Sequence, residues 1–145
     1  MSELVKRSSK NAGDAGEYYV AYMLSRLGIS AALTTSGSSA VDIIATINGA
    51  KSISIQVKGS WARSAPRQWT VGNHRPIVSP YFFYVFCNMS EDIENFTTPE
   101  IFVVTSATVN ETSTWHHKVP LFKITKGEDD RFKDRWDFIL NALQV

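Results

Sequence analysis

Hydrophobic residues recur with helical spacing near both ends of this chain and with strand-like spacing between them. Glu17 lies on the edge of an apolar stripe at i, i+3, i+4 and i+7, which predicts a helix from about Asn11 or Asp14 to Leu27, with Gly28 as its left-handed cap. The whole pattern predicts an α/β fold with a mixed central β-sheet flanked by α-helices. The other predicted elements are a strand at Ile29–Leu33, a hairpin within Ala40–Ser60, strands at Tyr81–Cys87 and Ile101–Thr105, a short helix at Ser106–Asn110 and a last helix at Asp129–Leu143.

The hairpin carries polar side chains that a plain hairpin would not need. β-Branched residues fill both arms, and Asn48-Gly49 is the strongest short signal for a turn between them. Asp42 lies near the start of the first arm, whereas Gln56 and Lys58 lie two residues apart near the end of the second and so share a face of the strand. A carboxylate, an amide and an amine are therefore predicted to converge at one end of the hairpin.

The length of the hairpin loop decides whether these groups meet. A two-residue turn at Asn48-Gly49 would point Asp42 to the opposite face from Gln56, because side chains alternate along a strand. A three-residue loop with Gly49 in the left-handed position of a bulge brings both side chains to one face. We therefore predict the three-residue loop, or an equivalent bulge or twist before Asp42.

Length and apolar content bound the class of protein. The 145 residues fit a single domain, with residues 1–10 expected to form a flexible arm. The longest apolar run is too short to span a bilayer, and the N-terminus has no signal-peptide core, so we expect a cytoplasmic protein. Cys87 lies inside an apolar strand and is expected to be a buried, reduced thiol.

Charge is distributed unevenly along the chain. The net charge is only +1, but no acidic residue lies between Asp42 and Glu91. This positive segment would attract a polyanion, so its arginines are candidate nucleic-acid contacts. Its basic residues are Lys51, Lys58, Arg63, Arg67 and Arg75, with His74 beside the last.

Two loops leave more than one interpretation open. The hydroxyls and N–H groups of residues 34–39 could hold a phosphate, or the loop could be a plain flexible turn. Trp61 and Trp69 lie among the basic residues, where they could stack on nucleotides or anchor the loop onto a core.

The polar residues around the hairpin resemble those of the PD-(D/E)XK nuclease superfamily, which has the restriction-endonuclease-like fold. The resemblance covers residues 10–60 best. Within these residues, the layout is similar to that of archaeal Holliday junction resolvases and of small stand-alone restriction-endonuclease-like proteins, some of which carry Gln-x-Lys. The residues that carry the resemblance are Lys10, Glu17, Ser36-Gly37-Ser38, Asp42 and Gln56-Val57-Lys58.

The resemblance implies DNA cleavage that depends on Mg²⁺ or Mn²⁺. It makes Asp42, the side-chain oxygen of Gln56 and the carbonyl of Val57 metal ligands. Lys58 becomes the catalytic amine that orients the attacking water or stabilises developing charge, and Glu17 matches a helical acidic residue that holds a metal-bound water or a second ion. Oxygen ligands of this kind suit Mg²⁺, which polarises phosphoryl oxygen. Gln56 stands where the family has Asp or Glu, which removes one negative charge and should weaken metal affinity.

The resemblance also implies contacts to DNA outside the metal site. Ser38 matches a resolvase loop serine that contacts the scissile phosphate, and Ser36 lies in the same loop. Together with Arg63, Arg67 and Arg75, these residues form the predicted nucleic-acid-binding set.

Three interpretations remain open at this point. The first is a metal-dependent DNA endonuclease that acts as a homodimer, because cutting both strands needs two sites related by a two-fold axis. The second is a catalytically weakened relative that binds nucleic acid or a partner protein, for instance in a defence or mobile-element system. The third is a structural domain in which Asp42 and Lys58 form a partly buried ion pair.

Overall fold

The computed structural model describes residues 6–35, 40–61, 67–90 and 97–144 and contains a mixed β-sheet flanked by helices. The helices are α1 (Ser9–Arg26), α2 (Ser106–Thr112), α3 (Asp129–Phe132) and α4 (Trp136–Leu143). The strands are β1 (Ser30–Leu33), β2 (Ile43–Thr46), β3 (Ser52–Trp61), β4 (Arg67–Thr70), β5 (Phe82–Met89), β6 (Glu100–Thr105) and β7 (Leu121–Ile124).

Five of these strands form the central sheet in the order β1-β2-β3-β5-β6. β3 and β5 run parallel, and the other neighbouring pairs are antiparallel. The predicted α/β architecture, a mixed sheet with flanking helices, is confirmed. β5 is buried on both faces, as its continuous apolar run predicts.

Helix α1 begins at Ser9, earlier than either predicted start. Ser8 Oγ accepts a hydrogen bond from the Asn11 N–H, and Asn11 Oδ1 accepts one from the Ser8 N–H, so the two residues form a capping box. Trp61 Nε1 donates to the Ser8 carbonyl at 3.0 Å. Residues 8–10 of the predicted arm therefore belong to the capped start of α1, and residues 1–5 lie outside the described part of the chain. Gly28 has a φ of +82°, as its predicted role of left-handed cap requires.

Small residues bring α1 very close to β3. A Cβ added at Gly59 would lie 2.5 Å from the carbonyl oxygen of Ala12, so the helix backbone occupies the space of a side chain. At Gly16 an added Cβ would meet Val57 and Cys87 at 3.4 and 3.5 Å. Together with apolar residues of α1 and α4, this face of the sheet forms one hydrophobic core. The close packing positions the half-buried Glu17, which follows Gly16, beside the end of the hairpin.

Aromatic residues cover part of the opposite face of the sheet. Trp69 packs on Phe86 and Phe102, and its Nε1 donates to the carbonyl of Cys87 at 3.1 Å. Trp69 therefore anchors its segment on the core, the second of the two interpretations given above. The cover extends over β5 and β6, whereas Ile44 of β2 remains 47% exposed on the same face. The uncovered part of this face carries the polar residues of the hairpin.

Two features of the fold were not predicted. β4 and β7 pair with each other, Arg67 opposite Ile124, as a separate sheet that supports the aromatic cover.

The predicted last helix is also wrong in its continuity, because α3 and α4 are separate. Between them Asp134 takes a φ of +53° and donates its N–H to the carbonyl of Ile101 at 2.9 Å, and Lys133 bridges to β6. Backbone bonds to β6 therefore replace helical bonds at this point.

Among the described residues, no helix has the length and apolar character needed to cross a membrane.

Candidate active site

The hairpin has the register that the convergence of its polar residues requires. Ile43 lies opposite Ile55, which is the pairing expected of a three-residue loop. Gly49 has a φ of +82°, the predicted left-handed conformation. The connection spans residues 47–51, so the predicted loop is too short although its register is confirmed. This register places the side chains at the start of β2 and the end of β3 at the same end of the hairpin.

Asp42 departs from the regular ladder at the start of β2. Its N–H donates to the carbonyl of Ile55 at 2.9 Å, and its Oδ2 accepts the N–H of Val57 at 2.7 Å. The carboxylate thus takes the place of a backbone acceptor at the edge of β3. Because the N–H and C=O of one strand residue point to the same edge, the Val57 carbonyl also faces this edge. A carboxylate and a backbone carbonyl therefore face the same edge of β3 at the start of β2.

Glu17 brings a second carboxylate towards Asp42 from helix α1. Burial raises the pKa of Glu17, and the nearby charge of Asp42 raises the pKa further. Burial also raises the pKa of Asp42, while the Val57 N–H and the charge of Lys58 oppose this rise. Within the described ranges neither carboxylate forms an ion pair. The two side chains form a small, partly buried region of negative charge.

Gln56 and Lys58 point into a cleft of about 640 Å³ on the opposite face of β3 from the buried Ile55 and Val57. Neither side chain makes a hydrogen bond or an ion pair within the part of the chain that the structure describes. Lys58 influences Asp42 through its charge without an ion pair to it. The ion pair expected of a purely structural domain is therefore not formed.

The donors around Asp42 fit a hard divalent cation. The described residues contain no group of three or more His, Cys, Asp or Glu side chains that could hold a metal. Asp42 and Glu17 are two neighbouring carboxylates and the Val57 carbonyl faces the same edge, whereas the Gln56 side chain lines the cleft on the other side of β3. Mg²⁺ is commonly bound by one or two carboxylates while it keeps several waters. This all-oxygen set therefore suits Mg²⁺ or Mn²⁺ better than a soft metal.

The predicted nucleic-acid contacts have different positions in the structure. Arg75 is exposed and lines the cleft, where its guanidinium donates to the Asn110 carbonyl at 2.9 Å. Arg67 does not line the cleft, because its guanidinium is held by Asp129 at 2.6 and 2.8 Å and by Glu100 at 3.3 Å. Arg67 therefore lies away from the cleft and is engaged in ion pairs, unlike Arg75. The predicted contacts Ser36, Ser38 and Arg63 lie outside the described residues.

Sequence reasoning missed Tyr84 as a residue of this region. It lies in the apolar run of β5, opposite Gln56 in the parallel pairing of β3 and β5, and it lines the cleft. A tyrosine within a run of apolar strand residues gives no local sign that it borders the cleft. Only the pairing of β3 with β5 reveals this position.

The chain matches no protein-family model and no curated protein. Its structure is similar to that of the bacterial homing endonuclease I-Ssp6803I, with a TM-score of 0.65, 16% sequence identity and 95% of each chain covered. At this identity the likeness shows a shared fold. The mixed α/β fold of this chain is therefore a fold that an endonuclease also has.

Proposed function

We propose that this chain is a Mg²⁺- or Mn²⁺-dependent endonuclease of the PD-(D/E)XK type, which hydrolyses phosphodiester bonds in DNA. The observation that carries the proposal is the Asp42 carboxylate, which accepts the Val57 N–H at the start of β2 and lies close enough to Lys58 to be affected by its charge, while Lys58 has no ion pair among the described residues. The shared fold with a bacterial homing endonuclease supports it.

The proposed site contains two kinds of group: oxygen atoms that would bind a divalent cation, and an amine that supplies positive charge. Asp42, Glu17, the Val57 carbonyl and the Gln56 oxygen would hold the divalent cation, which would supply Lewis-acid polarisation of the phosphoryl group. Lys58 contributes a fixed positive charge where negative charge develops on the phosphate, which stabilises the transition state without proton exchange. Asp42 is already oriented by its hydrogen bond, so little rearrangement is needed when substrate binds.

The DNA approaches from the cleft side of β3. Arg75 and His74 are exposed at the cleft, where Arg75 provides positive charge and the His74 ring provides a hydrogen-bond donor for backbone phosphates. A homodimer would place two such sites on the two strands of a duplex.

Cleavage of supercoiled plasmid and of branched DNA in Mg²⁺ or Mn²⁺ tests the proposal. Asp42→Asn keeps an acceptor for the Val57 N–H and removes the charge, and Lys58→Met keeps the aliphatic stem and removes the amine. Each variant is expected to lose about 10²- to 10³-fold in cleavage rate, the usual effect of removing one electrostatic group from an active site. EDTA should abolish wild-type cleavage.

Matched controls come from exposed residues elsewhere in the chain. Lys123→Met and Asp130→Asn change the same residue types outside the cleft and should cleave like wild type. Cleavage by Asp42→Asn at the wild-type rate would contradict the assigned site, and wild-type protein without cleavage in either metal would contradict nuclease activity.

The neutral Gln56 favours a second candidate function, a nuclease-fold protein with weakened catalysis that binds nucleic acid or a partner protein. Gln56→Glu restores the missing negative charge. If the neutral amide limits the metal site, this variant should reach half-maximal activity at a lower Mg²⁺ concentration. DNA binding that falls steeply with salt, without cleavage in wild type or in Gln56→Glu, would favour the second function.

A further inference from the structure

The two edges of the central sheet differ in how they are covered. At the β6 edge, Lys133 bridges to Phe102, and the Asp134 N–H donates to the Ile101 carbonyl at 2.9 Å, so the chain itself occupies this edge. β1 forms the other edge, and no described residue pairs with the side of β1 that faces away from β2. An uncovered edge strand offers its N–H and C=O groups to another strand. β1 is therefore the open edge of this sheet.

The register of β1 with β2 shows which backbone groups face outward. The Thr34 N–H donates to the Asp42 carbonyl at 2.9 Å, in continuation of the antiparallel register of the two strands. Hydrogen-bonded pairs alternate with non-hydrogen-bonded pairs along such strands, so Ala32 also bonds to β2. Ala31 and Leu33 consequently direct their N–H and C=O groups away from β2. The open edge thus presents two donors and two acceptors.

The side chains of β1 would not repel a second copy of the same strand. Its sequence, Ser-Ala-Ala-Leu, has no charged residue and no proline, two residue classes that commonly protect an exposed edge. Three of its four residues are exposed, and the largest of them, Leu33, is 44% exposed. Leu27, just before the start of β1, is 38% exposed. The edge is therefore apolar and uncharged as well as unpaired.

We infer that two copies of this chain associate through their β1 strands, which pair antiparallel about a two-fold axis at Ala32. In this register Ala31 of each copy lies opposite Leu33 of the other, and their outward groups form four hydrogen bonds. Ala32 lies opposite its own counterpart, where small side chains fit the close spacing of a non-hydrogen-bonded pair. Leu33 of each copy lies towards Leu27 of the other. This inference rests on the proposed function, for which it names the interface of the homodimer.

The arrangement of the sheet edges favours a second copy as the occupant. Because the β6 edge is covered within the chain, β1 pairing joins the open edges of two central sheets and offers no further edge of this kind among the described residues. The same patch serves both copies, as an interface with two-fold symmetry requires. The assembly therefore closes at two copies and does not grow into a filament.

The symmetry also fixes how the two candidate sites are arranged. The axis is perpendicular to the joined sheet, so both clefts open on the same face. Asp42 lies opposite Thr34, two residues beyond Ala32, so the two Asp42 residues differ by four residues along the strands and by three strand spacings across them. At about 3.4 Å per residue and about 4.8 Å per strand, their Cα atoms would lie roughly 20 Å apart. One duplex can therefore contact both sites.

Disulfide trapping tests this register without requiring cleavage. In Ala32→Cys the two thiols would face each other across the axis, so mild oxidation should produce a covalent dimer on a non-reducing gel. The native Cys87 is buried and should not react. Ala50→Cys changes an exposed alanine of the hairpin loop and is the matched control, which should remain largely monomeric on the gel.

Sedimentation of the protein without crosslinks measures the strength of association. Wild type should form a dimer that dissociates on dilution. Ala32→Lys places like charges directly opposite each other and should weaken dimerisation roughly two- to fivefold, whereas Ala50→Lys should not. Ala31→Pro removes two of the four donors between the copies, leaves the bonds to β2 in place and should weaken dimerisation at least about fivefold. Cooperative urea unfolding of each variant confirms that it is folded.

The outcomes separate this inference from the proposed function. Wild type that remains monomeric at roughly 100 μM would overturn the inference even if it cleaves DNA. A dimer of unchanged affinity in both Ala32→Lys and Ala31→Pro, with no more disulfide in Ala32→Cys than in Ala50→Cys, would overturn it as well. A dimer that both variants weaken and that Ala32→Cys traps would support the interface even if no cleavage is found, in which case only the proposed nuclease activity fails.

Discussion

Replacement of Gly59 by alanine tests the close contact between α1 and β3 that positions Glu17. The added Cβ would lie 2.5 Å from the Ala12 carbonyl oxygen, 3.2 Å from the Ala12 carbonyl carbon and 3.4 Å from Gly13 Cα. All three atoms belong to the helix backbone, so no side-chain rotation can relieve the overlap. Either α1 or β3 must move, and overpacking of this kind costs about 1–3 kcal/mol.

Urea unfolding followed by tryptophan fluorescence measures this cost. A loss of about 1–3 kcal/mol should lower the midpoint by roughly 0.5–1.5 M urea while the m-value stays unchanged, because the surface exposed on unfolding is the same.

Gly13→Ala is the matched control for this experiment. The same change of residue type occurs in α1, where the added Cβ meets no atom within 4 Å. Removal of a helical glycine should therefore stabilise the fold by about 0.5–1 kcal/mol. The reasoning would be refuted if Gly59→Ala unfolded at the wild-type midpoint or above it, or if both variants shifted the midpoint in the same direction.

Three further predictions concern the cap, an ion pair and the metal site. Ser8→Ala removes the capping box of α1 and should cost about 1 kcal/mol in urea unfolding; no change would contradict the cap. The Arg67 guanidinium lowers the pKa of Asp129, so this pair stabilises the fold above the ordinary pKa of Asp and loses its effect as pH falls through the lowered pKa. In urea unfolding over a pH series, Asp129→Asn should therefore have a lower free energy of unfolding than wild type near neutral pH. This free energy should also fall less than that of wild type as the pH is lowered, and a parallel fall in both proteins would refute the linkage. Mn²⁺ at about a hundredfold excess over its Kd should stabilise wild type by roughly 2.7 kcal/mol and raise its Tm, but should not raise that of Asp42→Asn. An equal rise in both proteins would place the metal elsewhere.

Much of the local structure and part of the candidate site follow from neighbours along the chain. Gly28 was predicted to end α1 and does so with a positive φ, because glycine takes the left-handed conformation without strain. Gly49 likewise has the predicted positive φ in the hairpin loop, and the register of β2 and β3 places Asp42 at the same end of the hairpin as Gln56 and Lys58. Gln56 and Lys58 share a face because strand side chains alternate, which the spacing alone requires.

The tertiary structure decided what depends on residues far apart in the chain. Asp42 is oriented by the Val57 N–H, and the Arg67 guanidinium is held by Asp129 away from the cleft. Tyr84 joins the cleft only because β5 pairs in parallel with β3, and the C-terminal helix is interrupted by backbone bonds to β6. In this protein the sequence by itself determined which groups stand on one face of one element. Which groups from different elements meet was decided by long-range pairing and packing, since local spacing carries no information about a partner in a distant segment.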